Sequence, residues 1–441
     1  MAYSLHHSKA PMPLPPPPTL PTAQGLTKHL RASDLRAAAQ LATSATKSVA
    51  CMAEGVSQAV WSTLGAPSGV AADKTRGITG LVYQSVQGIT GIVGSAVDTA
   101  LAKLLPHTEQ PGTTTAQREA VLAALNGVLG DHLAASGNAL ATPMTLRYQG
   151  QALNWQAMPP KAQVSGKVLL LIHGLCMNDL QWQTTSAPGN VMGGVVGDVA
   201  ANVIDHGATL AAAMHATPVY LRYNTGLHTS TNGQALCQQL AQLERHWPKR
   251  ITELTIIVHS MGGLVARSAV HAAQATNAAW LKKLKSLVFL GTPHHGAPLE
   301  KAGNWVDVIL GSTPYSRPFA KLGQLRSAGI TDLRYGNTLD AHWQGQARFG
   351  RAPDQRVLLP LPAKVACYVV AGTTAAKRSV LAERLVGDGL VTLRSALGQH
   401  DDAARCLQFD PARTLIAYRT NHMQLLSSAA VGAQLVRWLA P

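Results

Sequence analysis

Beyond about residue 142 the chain is built of short, continuous apolar runs rich in Val, Ile and Leu, at 167–172, 218–222, 252–258, 284–290 and 364–370, separated by amphipathic segments. Runs in which apolar residues mostly follow one another, rather than alternating with polar ones, predict strands buried on both faces. Their interleaving with helical segments predicts a mostly parallel sheet with helices on either side. Just upstream, Val121, Leu122, Leu125, Val128, Leu129 and Leu133 recur at helical spacing within 115–140 and stop at Gly137, which predicts a helix.

The earlier part of the chain has another texture. Residues 1–25 are Pro-rich and predict an extended or disordered tail. Residues 26–141 form an Ala/Gly-rich region with apolar positions at helical spacing. Within it Gly77-Ile78-Thr79-Gly80-Leu81-Val82 returns as Gly88-Ile89-Thr90-Gly91-Ile92-Val93, a period of eleven residues. Eleven residues make three helical turns, so Ile78, Leu81, Val82, Ile89, Ile92, Val93, Val97, Leu101 and Leu104 share one face of a helix that ends before Pro106. Ordinary helix packing is the preferred reading of this stripe. A helix lying on a lipid surface is the alternative, but such helices carry basic residues along their polar face, and here only Lys74, Arg76 and Lys103 flank it.

Composition narrows the function classes. Charged residues are 13% of the chain and apolar ones 46%, which excludes a disordered charged chain and disfavours a long coiled coil. The net charge of +15 admits nucleic acid, anionic membranes or anionic substrates. Residues 1–150 hold 10 Lys/Arg against 7 Asp/Glu, so the excess lies in the rest of the chain, where basic residues rarely cluster beyond pairs such as Lys282-Lys283. No basic stripe or reading motif accompanies it, and a nucleic-acid partner is not expected. Five cysteines without a C-x-x-C pair indicate neither a disulfide framework nor a zinc cluster. The N-terminus lacks a secretory h-region and no run of 18 apolar residues occurs, so a cytoplasmic location is expected, with peripheral membrane contact left to the stripe.

The strongest chemical signal is Ile256-Ile257-Val258-His259-Ser260-Met261-Gly262-Gly263-Leu264, a strand that runs into a serine and straight on into a helix. Such a turn projects the serine hydroxyl above the sheet and needs small neighbours. Gly262 satisfies that need downstream, whereas Val258 departs from the usual upstream glycine. A serine becomes a nucleophile only with a base and an acid that orients the base. In chain order these are Asp388, between Gly387 and Gly389, and His422, just before the final helix. The oxyanion donors are then the backbone N–H of Met261 and that of Leu175, after the strand ending Ile172-His173-Gly174, with Cys176 as the fallback. His173, His259, His294 and His295 precede the acid and are expected to line the substrate site or support it.

Taken together, Ile172-His173-Gly174-Leu175, the Ser260 turn, Gly291-Thr292-Pro293-His294-His295-Gly296, Gly387-Asp388-Gly389-Leu390-Val391 and Asn421-His422 resemble α/β-hydrolase lipases and esterases, most nearly the branch of GPI inositol-deacylases. The resemblance spans 142–441. It implies an α/β-hydrolase catalytic domain, preceded by the helical N-terminal extension and interrupted at about 297–363 by an insertion bearing Trp305, Trp343 and Phe349. That insertion is read as a helical lid, with a peripheral decoration as the alternative. It further implies a Ser-Asp-His carboxylic-ester hydrolase acting on ester or lipid-like substrates through an acyl-enzyme, with no cofactor and no metal. An acyltransferase, thioesterase or intracellular polyester depolymerase would use the same residues. A catalytically silent membrane-peripheral binding protein of this fold is the reading from a different class. Oligomeric state is not legible.

Overall fold

The computed structural model describes residues 116–183, 203–297, 327–345, 356–376 and 387–441. The Pro-rich tail, the 78–104 stripe and much of the 297–363 insertion lie outside these residues.

Eight strands form one sheet: β1 (Thr145–Tyr148), β2 (Gln151–Ala152), β3 (Lys167–Ile172), β4 (Thr217–Arg222), β5 (Glu253–His259), β6 (Leu284–Leu290), β7 (Ala366–Thr373) and β8 (Thr414–Tyr418). Their spatial order is β2-β1-β4-β3-β5-β6-β7-β8. Strand β1 runs antiparallel to both of its neighbours, and every pair from β4 to β8 is parallel. This is the α/β-hydrolase fold. The chain moves outward from β3 to β4 and returns to the other side of β3 with β5, so the strand order reverses between β3 and β5. Ligands of open parallel sheets collect beyond the carboxyl ends of strands at such a reversal.

The continuously apolar strands fill two cores by simple alternation of side chains. Leu170, Ile172, Ile256, Val258, Leu287 and Phe289 face α3 (Thr229–His246) and α4 (Met261–Ala275), meeting Leu236, Leu240, Val265 and Ala269. Leu169, Leu171, Ile257, Val288 and Leu290 face the other way, against Leu210 and Met214 of α2 (His206–Met214) and Val431 and Leu435 of α6 (Ala429–Leu439). The chain also forms α5 (Ala328–Tyr335). The expected strand at 364–370 starts and ends later as β7, because its partner β8 extends the ladder to Thr373.

Helix α1 (Ala116–Ala135) matches the helix expected at 115–140, but it is not an appendage. Ala124, Leu125, Val128 and Leu133 are buried. Its backbone accepts hydrogen bonds from Asn224 Nδ2 at Gly130 O (2.8 Å), from Asn178 Nδ2 at Glu119 O (3.1 Å) and from Ser327 Oγ at Gly127 O (2.6 Å). A boundary drawn between residues 141 and 142 therefore passes through packed structure. The helix also completes a buried ion-pair chain. Asp179 receives Arg147 Nε of β1 at 3.0 Å and Arg222 Nε of β4, and Arg222 reaches on to Glu119 of α1.

Because both carboxylates are withdrawn from water, deleting their shared cation removes one of the two arginines that pair with each, leaving Asp179 to Arg147 and Glu119 to Arg118. Arg222→Ala is expected to lower unfolding stability by about 3 kcal/mol, read as a lower denaturant midpoint with unchanged slope. A change under about 0.5 kcal/mol would show that the network is solvated.

Candidate active site

Strand β5 ends at His259 and α4 begins at Met261, so Ser260 alone makes the turn. Its backbone stands at φ 54°, ψ −125°, a region that residues with a side chain rarely enter. Two hydrogen bonds hold it there: Ser260 N–H donates to Leu290 O (2.9 Å), and Gly263 N–H donates to Ser260 O (3.0 Å). Gly262 lets the helix come this close, since a Cβ there would lie 2.7 Å from His173 O and 2.9 Å from Ile172 O. Val258, the departure from the glycine pattern, pairs with Ile172 and Phe289 and is absorbed as a core residue of the α3/α4 face.

Asp388 lies on the loop after β7 and His422 on the loop after β8. His422 Nδ1–H donates to Asp388 Oδ2 at 2.7 Å. The other carboxylate oxygen accepts Leu390 N–H (3.0 Å) and Val391 N–H (2.8 Å), and Asp388 O accepts His422 N–H (2.9 Å). The Asp388 carboxylate is thus held as an acceptor, which places a ring proton of His422 on Nδ1. His259 Nε2–H donates to His422 O at 2.9 Å, tying the base to the residue before the serine. Gly291, after β6, closes the gap: at φ +58° its Cβ would stand 3.1 Å from Asp388 Oδ2 and 3.3 Å from His422 Cε1. Among the described residues Ser260 Oγ has no hydrogen-bond partner, and catalytic hydrogen bonds often tighten only around substrate.

The loop after β3 abuts the serine, for a Cβ on Gly174 would lie 2.9 Å from Ser260 Cβ. Met261 occupies the first position of α4, where amides have no helical partner. Of the two amides considered on the β3 loop, Cys176 N–H donates to Thr225 Oγ1 (3.1 Å), while Leu175 N–H is engaged by no described residue. The sequence carries no mark of Thr225. A run such as Tyr223-Asn224-Thr225-Gly226 reads only as a loop.

The four other histidines are held by neighbouring backbone and rings. His173 is fully buried behind the serine, stacked on Tyr223 at 4.5 Å and donating from Nδ1 to Gly174 O. His259 is likewise fully buried. His294 lies against Arg267 and edge-on to Phe289, and His295 Nε2 bonds Gly398 O at 3.1 Å. The turn after β6 is fixed by His294 N–H bonding Thr292 O and Ser395 O, and the His294 ring packs on Phe289 of the α3/α4 core. Burial draws His173 and His206 down to about 4, and it holds His259 and His294 well below the ordinary imidazole value. Among the described residues no group of three or more His, Cys, Asp or Glu is placed to hold a metal, and no helix is long and apolar enough to cross a membrane. A cavity of about 550 Å³, lined in part by Leu358, Cys367, Cys406 and Arg413, lies by the start of β7, at the opposite end of the strand from the Asp388 loop.

Residues 138–332 match the family model described as a domain of unknown function (DUF7379). No protein of curated function matches the sequence. Among solved structures, the chain is similar to the mature form of the Bacillus licheniformis lipase BlEst2 (16% identity, 68% of this chain and 99% of that one, TM-score 0.38). It is also similar to a type II thioesterase of the yersiniabactin biosynthetic pathway (12%, 63% and 95%, 0.33). A third likeness is to an α/β-hydrolase enzyme from the metagenome of Lake Arreo (12%, 67% and 76%, 0.32). Likenesses this distant decide nothing about the site. The fold assignment rests on the strand order and on the turn at Ser260.

The buried imidazoles give stability a definite dependence on pH. Unfolded, each takes up a proton below about pH 6.5; folded, His173 and His206 refuse it until about pH 4. Stability is therefore expected to fall as pH drops through that window, by up to about 1.4 kcal/mol per pH unit for each histidine. Denaturant midpoints between pH 7.5 and 5 check this, and a flat profile would show the rings to be hydrated in the fold.

Proposed function

We propose that the chain is a serine hydrolase of carboxylic esters. The observation that carries this reading is the 2.7 Å bond from His422 Nδ1–H to an Asp388 carboxylate whose other oxygen is already held by two backbone amides. That same histidine is tied through His259 to the strained turn bearing Ser260. A buried histidine of purely structural use would not need an oriented acid on one nitrogen and a free lone pair on the other.

In this reading Ser260 Oγ attacks the ester carbonyl carbon as His422 Nε2 removes its proton. Asp388 keeps the ring in the required tautomer and stabilises the imidazolium that forms. The carbonyl oxygen becomes an oxyanion held by the Leu175 and Met261 amides. Collapse breaks the bond to the leaving alcohol, which receives the proton from His422, and leaves an acyl-Ser260. Water, deprotonated by the same histidine, then attacks the acyl group and frees the acid.

Lipid-like acyl esters are the proposed substrate class, and the motif-level resemblance to lipases supports it. The narrower resemblance to GPI inositol-deacylases does not extend to a head group, because fold and triad are shared by enzymes of many substrates. The described part of the 297–363 stretch is proposed to cover the site. Its described helix α5 supports this, since a Cβ on Gly329 would lie 3.1 Å from Met261 Cε.

Hydrolysis rates across p-nitrophenyl esters of increasing chain length, set beside a phospholipid and an acyl thioester, test the reading. Ser260→Ala is expected to lose at least about 10³-fold in kcat, and Asp388→Asn on the order of 10³- to 10⁴-fold with KM little changed. A folded protein that turns over none of these substrates, or a Ser260→Ala variant at wild-type rate, would overturn it.

A further inference from the structure

Two consecutive amides, Leu175 and Cys176, follow the strand-ending His173-Gly174, and only one can face the acyl oxygen. The structure contains a device that chooses between them. The loop is held on both sides of Leu175 by residues that follow β4: Tyr223 O–H donates to His173 O at 2.9 Å, and Thr225 Oγ1 accepts Cys176 N–H at 3.1 Å. Cys176 is bent to φ 58° at that point, and its thiol is buried against α1. Tyr223 and Thr225 are themselves almost fully buried.

The segment 223–226 is in turn clamped between two helices. Asn224 Nδ2 donates to Gly130 O of α1 (2.8 Å), and Asn224 O accepts Asn232 Nδ2 of α3 (2.9 Å). Asn224 Oδ1 accepts Gly226 N–H (3.0 Å), and Gly226 packs directly on the α1 backbone at Asn126 and Gly130. On its far side the β3 loop meets the same helix again, through Asn178 Nδ2 and Glu119 O at 3.1 Å.

We propose that Thr225 is a positioning residue of the oxyanion hole: by engaging Cys176 N–H it withdraws that amide from the site and leaves Leu175 N–H directed at the acyl oxygen, while α1 holds Thr225 in place. The inference rests on Ser260 being the acyl nucleophile. Thr225 touches no reacting atom. Its contribution is to keep one donor at the position where charge develops, and a donor misplaced by about 1 Å forfeits on the order of 10²-fold in rate. Because the oxyanion exists only along the reaction path, the effect belongs in kcat rather than in KM.

The test uses the full chain and p-nitrophenyl butyrate. Thr225→Val keeps the shape and removes the acceptor, and Thr225→Ser keeps the acceptor. The valine variant is expected to lose roughly 10- to 100-fold in kcat with KM within about twofold, and the serine variant to stay within about threefold of wild type. Wild-type kcat in the valine variant, equal losses in both variants, or a loss confined to KM would overturn the proposal. Should the valine variant fail to fold, Tyr223→Phe deletes only the hydroxyl that anchors the other side of Leu175. A fall in its kcat at unchanged KM supports the proposal, and unchanged kinetics overturn it. Failure of the hydrolase reading is separately visible, as activity that survives Ser260→Ala.

Discussion

Ser260 is held at φ 54°, ψ −125°, a backbone conformation that costs on the order of 1–3 kcal/mol and persists only where its surroundings enforce it. Most of the carboxyl edge of the sheet can be understood from that constraint. To hold the turn, β5 must deliver its last residue in register with β6, so that Ser260 N–H meets Leu290 O, and α4 must begin at once. Starting α4 at once places Gly262 against the carbonyls that end β3, where no side chain fits. The geometry that lifts a hydroxyl out of the sheet therefore also fixes the distance between β3 and α4, and with it the place of the Leu175 and Met261 amides proposed to hold the oxyanion.

The proposed acid and base come from the other side of the reversal in strand order. Asp388 and His422 follow β7 and β8, and they bind each other through side chain and backbone alike. Gly291 gives the pair its room beside β6, while the bond from His259 to His422 O links the pair back to the strand that bears the serine. On the β3 side the equivalent support comes from a helix that precedes the whole sheet in sequence. Helix α1 carries one end of the Glu119, Arg222, Asp179 and Arg147 chain of charges and packs against both the β3 loop and the segment after β4. Buried charges of this kind contribute little net stability, but they strongly disfavour any arrangement in which a partner is missing. Their use here fits a loop that has to keep one geometry.

How much of this could be read beforehand depended on how local each signal was. Strands β3 and β6 are legible to the residue because most of their positions are buried and their apolar residues run on without alternation, interrupted only by Lys167 at the start of β3 and by Lys285 and Ser286 in β6. The hairpin β1–β2 and the outer strand β8 are not, since they are short, lie toward the sheet edges and are largely only half-buried or exposed, and so lack the apolar run that marks the others. Ser260, Asp388 and His422 each sit in a turn with its own chemical mark, and their order along the chain follows the order of the strands. Thr225 and Gly130 have no such mark: their partners lie 49 and 94 residues away in sequence, and only folding brings them together. His294 and His295 carry only a partial mark. Position beside a sheet edge was readable, but the side to which each ring turns is decided by packing on Phe289 and the 395–398 turn.

The central claim is that this scaffold makes one hydroxyl among many into a nucleophile. Intact-mass analysis after treatment with a stoichiometric alkyl fluorophosphonate, followed by peptide mapping, tests it without reference to any natural substrate. The account predicts a single phosphonyl adduct, located on Ser260. A folded protein that remains unmodified, or one whose adduct maps to a residue other than Ser260, would contradict it.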